Sequence, residues 1–461
     1  MATANKYKID MCHGPLLKKI IQFAIPLMMA NVMALMFHAA DLIVVGRFAS
    51  AKAMAAVGAA PGFPNLMLNL FWGIASGVNV LVARYIGAKD EKNVFRTVHT
   101  AISVACIGGV IMMVLGLIVT KPMLQLMAVP EDIMRKATLY YWIWCLGTPF
   151  MVLFSFGSAI LRAIGDTRRP FIYMVIAGIV NVVLNLVFVI VFKMDAAGVA
   201  IATKISNLVS AVLVLRALVC TQEQYRLFFK KLHIHWGIFK EMFRIGLPAG
   251  VQGMFYSISN IIIQSSINFF GYKAIAGSTA ALSLEGVVHT AFGAFGLAVV
   301  SFVGQNHGAK KYKRIMRSIF LCLGCGCSIA IVLSALELIF KRQLLGIYNP
   351  DPEVIEWGVL RMNYQLTFYF LVAAIEVIAG SLRGLGYSFW PTIVTLMGAC
   401  VLRVAWVFFI FPLDRRMENL MISYPVSWLL VALVNGTMLF VICRNMLRRA
   451  KDRQFDDLEM K

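Results

Sequence analysis

Asp41 stands in the apolar run FHAADLIVVG (37–46), downstream of a stretch with no charge from Ile20 to Met36. A carboxylate at the centre of a bilayer costs about 2.5–3.5 kcal/mol on insertion scales, so one kept there is a candidate for binding a proton or a cation. Arg47 follows closely, which leaves open a second reading: Asp41 lies near an interface and is simply hydrated there. Further along, Asn181 and Asn185 are spaced to share one helix face, and Thr203 and Lys204 fall in the next apolar run. Buried amides either join helices or offer neutral oxygens to a hard cation such as Na⁺. In the second half, SLEGVVHTAF (283–292) places Glu285 and His289 four apart, a pair able to pass protons near neutral pH. Glu376, in VAAIEVIAG, and Arg403, in the following apolar run, are either a second working site or a static ion pair. Pro26 removes a backbone hydrogen bond from the helix that carries Asp41, so a kink is expected there.

These residues need elements to hold them, and composition says which. The chain has 461 residues, 60% hydrophobic and 14% charged, with mean hydropathy +0.79. Soluble domains carry about 25% charged residues. The apolar runs reach about 20 residues, the length of a membrane-spanning helix, and lack the alternation of a β-barrel strand. The expectation is an all-α integral membrane protein. The polar, basic N-terminus is followed by no small-residue cleavage site, so no cleaved leader is expected. A net charge of +21 suggests nucleic acid at first, but the basic residues are scattered through loops rather than gathered in a stripe. No nucleic-acid partner is expected. Of nine cysteines, the cluster CLGCGC (322–327) lies between apolar flanks without histidine partners and reads as small packing residues, not a metal site.

Twelve spans follow from the hydropathy, and the longest polar break is TQEQYRLFFKKLHIHWGIFK (221–240). The expected organisation is an N-lobe at 1–219, a cytoplasmic linker at 220–240, a C-lobe at 241–446 and a cytoplasmic tail at 447–461. With the N-terminus cytoplasmic, most Lys and Arg fall on the inside, which places both termini there. Arg361 counts among the outside charges on this reading. The halves repeat. YIGAKDEKNVFRTV (85–98) matches NHGAKKYKRIMRSI (306–319), and LRAIGDTRRP (161–170) matches LRGLGYSFWP (382–391) in the same register. FASAKAMAAVGAA (48–60) matches FFGYKAIAGSTAA (269–281) there too. An even number of spans separates equivalent points. The prediction is twelve transmembrane helices in two six-helix lobes related by a pseudo-two-fold axis along the membrane normal.

No nucleotide-binding loop is present; GQNHGAKK (304–311) has the wrong spacing, so uphill transport would need an ion gradient. The short loops hold no clustered catalytic set, so an enzyme is not expected.

The chain resembles the multidrug and toxic compound extrusion (MATE) family. IPLMMANVMALMFHAADLIVVGRF, ARYIGAKDEKNVFR and LRAIGDTRRP carry the resemblance, with FVGQNHGAKKYKR and LRGLGYSFWP in the second half. It implies antiport of small organic, often cationic, compounds against Na⁺ or H⁺, with no other cofactor, in a prokaryotic plasma (inner) membrane. Asp41 matches the family's first-helix carboxylate, Asn181 its fifth-helix asparagine, and Thr203 resembles the hydroxyl residue of the sixth helix. Asn185 stands where many members have an aspartate, which removes a charge. In the second lobe Gln252 replaces an acid, Glu376 is in the right helix but a turn off, and Glu285 looks like an eighth-helix acid of a bacterial subgroup. Two fused repeats suggest a functional monomer in contact with lipid. A flippase for a lipid-linked or amphipathic precursor is the alternative.

Overall fold

The computed structural model describes residues 7–48, 62–127 and 129–459. The repeat block at 48–60 falls almost wholly outside the described residues. All regular structure among the described residues is helical. The first half contains α1 (Leu16–Phe48), α2 (Gly62–Gly87), α3 (Glu91–Leu126), α4 (Glu131–Leu146), α5 (Thr148–Ala163), α6 (Arg168–Leu186) and α7 (Asp195–Val219). The second contains α8 (Trp236–Asn268), α9 (Tyr272–Gly308), α10 (Tyr312–Ile339), α11 (Lys341–Tyr348), α12 (Pro352–Leu366) and α13 (Tyr369–Gly384). It ends with α14 (Phe389–Thr395), α15 (Leu402–Ala405) and the long α16 (Met417–Glu459).

Among the described residues, ten helices or helix stretches are long and apolar enough to cross a membrane, and α12 with α13 makes an eleventh span bent by 45°. The seventh expected span is present as α8, 33 residues long, but falls short of the apolar standard. Gln252, Ser257, Ser259, Asn260 and Gln264 make it polar for a spanning helix. The outward surface fits lipid. Along α3, Ile107, Val110, Ile111, Val114, Leu115 and Ile118 are exposed at helical spacing.

Two compact units divide the chain: residues 1–9 with 29–250, and residues 10–28 with 251–461. The change of unit falls just past Pro26 in α1 and just past Pro248 in α8, and each proline lies inside a continuous helix. Proline leaves a carbonyl without its helical partner, the usual place for a helix to change course.

The sequence repeat is a repeat of turns. In the first unit, Gly165 has φ +97° and closes α5: its N–H donates to Arg162 O (3.0 Å), and Asp166 N–H donates to Leu161 O (2.9 Å). In the second unit Gly386 (φ +93°) does the same, with Gly386 N–H to Arg383 O and Tyr387 N–H to Leu382 O, both 2.8 Å. Glycine takes this left-handed conformation without a Cβ penalty, which is why it recurs at both helix ends. Lys89 (φ 57°) and Lys310 (φ 54°) are a second matched pair of left-handed turns.

Candidate functional site

In the first unit α1, α6 and α7 bring together the polar residues expected to act. Asn185, fully buried, donates through Nδ2 to an Asp41 carboxylate oxygen and to Asn181 Oδ1 (3.3 Å). Asn181 Nδ2 donates to Thr203 Oγ1 (3.2 Å). The Thr203 hydroxyl lies 3.4 Å from the other Asp41 oxygen and 2.8 Å from the Val199 carbonyl, and its one proton serves one of them at a time. Asn185 Oδ1 is buried and has no hydrogen-bond partner. One carboxylate is thus met by an amide and a hydroxyl, which Asn181 links behind them, with an open amide oxygen beside it. That set can hold a proton on Asp41 or a small hard cation between the oxygens.

Local sequence explains the placement. The i, i+4 spacing points both asparagines the same way on α6. Val44 and Val189, a turn after Asp41 and Asn185, and Val199, a turn before Thr203, form a small buried apolar cluster. A turn before Asn181, a Cβ on Gly178 would stand 1.8 Å from the Phe37 ring, so only glycine lets α1 and α6 meet this closely. Lys204, next to Thr203 on α7, is also buried. Its ammonium lies 3.6 Å from Met151 Sδ and 4.6 Å from the centre of the Trp144 ring.

The second unit arranges its charges differently. Arg361 grips Glu285 through two bonds, Nε to Oε1 at 2.9 Å and Nη2 to Oε2 at 3.0 Å, and reaches Ser278 Oγ at 2.8 Å. His289 is exposed and rests edge-on against Phe292, so the carboxylate of Glu285 goes to an arginine instead. Glu376 faces Arg383 at 3.9 Å, and Arg403 binds Ser427 Oγ at 2.7 Å, so no Glu376–Arg403 ion pair is formed. Gln252 Oε1 accepts from Thr392 Oγ1 at 3.4 Å, away from the acids. Glu285, His289, Arg361, Glu376 and Arg403 nonetheless line one cavity of about 340 Å³.

The MatE family model matches residues 26–187 and again residues 248–409, most of both halves. The chain belongs to the MatE family. MatE proteins are transporters, so this chain is a multi-pass membrane transporter and not an enzyme. Among its relatives, "Probable multidrug resistance protein YoeA" of Bacillus subtilis is 26% identical over 438 residues, covering 93% of this chain and 94% of that one. "Probable multidrug resistance protein NorM" of Thermotoga maritima is 25% identical and covers 85% of each. The crystal structure of MATE in the bent conformation superposes with a TM-score of 0.89 at 19% identity, over 96% of this chain and 98% of that one. At that identity the likeness shows the fold.

Arg361 is the residue that sequence reasoning missed. Counting loop charges sets it outside the membrane, yet it is 4% exposed within α12. The usable signal was its place inside an apolar helix opposite an unexplained acid, Glu285, because a buried carboxylate needs a partner.

Proposed function

We propose that this MatE transporter is a cation-coupled antiporter, driven by H⁺ or Na⁺, that exports small organic, often cationic, compounds by alternating access. The observation that carries this reading is the Asp41 site: a carboxylate within an apolar helix, engaged by Asn185 and Thr203, beside the unpartnered Asn185 oxygen. Relatives named as multidrug resistance proteins support the substrate class. Transport in the family is ion-coupled.

In this mechanism the ion neutralises Asp41 when the cavity is open to the outside. A proton does so by binding the carboxylate. Na⁺ does so by sitting among Asp41, Asn185 Oδ1 and the Thr203 hydroxyl. Binding drives coupling only if ion and drug favour opposite states, since a ligand shifts an equilibrium by its differential affinity alone. The moving parts are the lobes 1–219 and 241–446, joined by the linker 220–240, with the tail 447–461 on the cytoplasmic side. The protein works as a monomer in a prokaryotic plasma (inner) membrane with both termini inside.

The test is uptake of a fluorescent organic cation into inside-out vesicles under a pH gradient or a Na⁺ gradient, imposed separately. One gradient drives wild-type uptake, and Asp41→Asn abolishes it. Unchanged uptake by Asp41→Asn removes Asp41 from the mechanism. Uptake driven by neither gradient overturns the antiporter and moves the flippase reading ahead.

A further inference from the structure

Arg403 is 2% exposed, lies deep in an apolar span and carries a full charge. Burying a guanidinium is costly unless each face and edge finds a partner. Three residues of one stripe on α16 hold it. Nε donates to Ser427 Oγ, and the guanidinium lies 4.4 Å from the Tyr424 ring centre and 5.6 Å from that of Trp428. One edge is left over: Nη2 is buried and has no hydrogen-bond partner. Tyr256 and Cys400 also stand near Arg403, and Glu376 lines the same cavity.

The other charges lining this cavity are Glu285, Arg361 and Glu376. Glu285 is neutralised by Arg361, and Glu376 is turned toward Arg383 and is 38% exposed. Arg403 is thus the guanidinium in the lining of this cavity of about 340 Å³ that has no carboxylate partner, and it is set among aromatic rings. That volume is at the lower end of small-molecule sites, which run from about 300 Å³. The backbone around Arg403 is irregular as well. The single turn α15 that carries it is flanked by π-helical segments, Leu396–Val401 and Trp406–Ile410. Such wide turns within helices are frequent at functional sites.

We propose that this second-unit cavity is a binding site for an aromatic organic anion, whose carboxylate takes the free edge of Arg403 while its ring packs against Tyr424 and Trp428. A carboxylate at a guanidinium forms a charge-assisted hydrogen bond, and flat rings suit the walls. The inference rests on the reading of the chain as an exporter of organic compounds and names one class of them.

Binding is measured on the purified full-length protein in nanodiscs with no gradient, by equilibrium dialysis of 2-naphthoate beside its uncharged methyl ester. Wild type should bind the acid about tenfold more tightly than the ester, the scale of a hydrogen bond to a charged group. Arg403→Gln should erase that preference and bind acid and ester alike. Arg403→Lys should keep part of it, because lysine supplies a point charge without the fork. Equal wild-type affinities for acid and ester overturn the proposal, and this comparison stands even if Arg403→Gln does not fold. A preference for the acid that survives in folded Arg403→Gln also overturns it. The vesicle assay is separate. Gradient-driven cation uptake without acid binding removes only the anion site, and acid preference without gradient-driven uptake removes only the coupled-export reading.

Discussion

The two halves of the chain share a frame and differ in what they place inside it. The family matches 26–187 and 248–409 put Asn181 and Arg403 at equal distances from the ends of their stretches. In the first unit that place holds a neutral amide, bonded to Thr203 and Asn185 around a single carboxylate. In the second it holds an arginine with a free edge, in a cavity that Glu285, bound by Arg361, and Glu376 also line. The matched turns at Gly165 and Gly386 show that duplication preserved the helix ends, where backbone geometry restricts the residue. The inward positions were free to diverge in sign. On the two proposals above, the first unit suits cations or protons and the second an anion.

The largest effect expected of this comparison lies in the second unit. If Glu285 serves to neutralise Arg361 rather than to carry protons, removing it strands a buried guanidinium. Glu285→Ala should lower stability by about 3–5 kcal/mol, the cost of breaking a buried pair. The double variant Glu285→Leu with Arg361→Met should recover most of it, because both charges leave together. Thermal unfolding in detergent measures both. A Glu285→Ala protein as stable as wild type would return Glu285 to the list of proton carriers.

The next effect sharpens the contrast in the first unit. Asn185→Asp places a second carboxylate on Asp41 at a fully buried position. Na⁺ affinity should rise about a hundredfold, within the roughly 4 kcal/mol that two unit charges exchange at 4 Å and an effective dielectric of about 20. At low Na⁺ the added carboxylate should take up a proton instead, since two adjacent carboxylates cannot both ionise cheaply. Na⁺ titration of the purified variant at several pH values reads both. Na⁺ affinity unchanged at every pH would mean that Na⁺ does not bind among these residues, leaving a proton on Asp41 as the coupling ion of this site.

Much of this was legible in the sequence, for definable reasons. Apolar run lengths gave the helices, and the turn motifs around Gly165 and Gly386 gave the repeat, because both are local properties of the chain. Asp41, Asn181, Asn185 and Thr203 each stood out as polar groups in apolar runs, but it was the family resemblance that joined them into one site. The partners in the second unit were not legible. Glu285 has a histidine four residues away on its own helix, but its partner arrives from α12, in a span broken between Leu366 and Tyr369. Only packing between helices decides that choice. The π-helical turns beside Arg403 leave no signature in residue type.

The smallest expected effect tests how the first unit keeps Asp41 in reach of α6. Phe37 precedes Asp41 by one turn on α1, and Gly178 precedes Asn181 by one turn on α6. Since a Cβ on Gly178 would enter the Phe37 ring, Gly178→Ala forces either the ring or the helix to move. Overpacking of this kind costs about 1–2 kcal/mol when a side chain can swing aside. A ring that swings leaves Asp41 in place, and transport survives with lower thermal stability. Helices that separate stretch the bonds from Asn185 and Thr203 to Asp41, and gradient-driven uptake falls more than stability does. Phe37→Leu added to Gly178→Ala restores the space and should rescue uptake in the second case. Rescue identifies this contact as what positions the carboxylate. Uptake that falls in Gly178→Ala and is not restored by Phe37→Leu means that the glycine is needed for something other than admitting the ring.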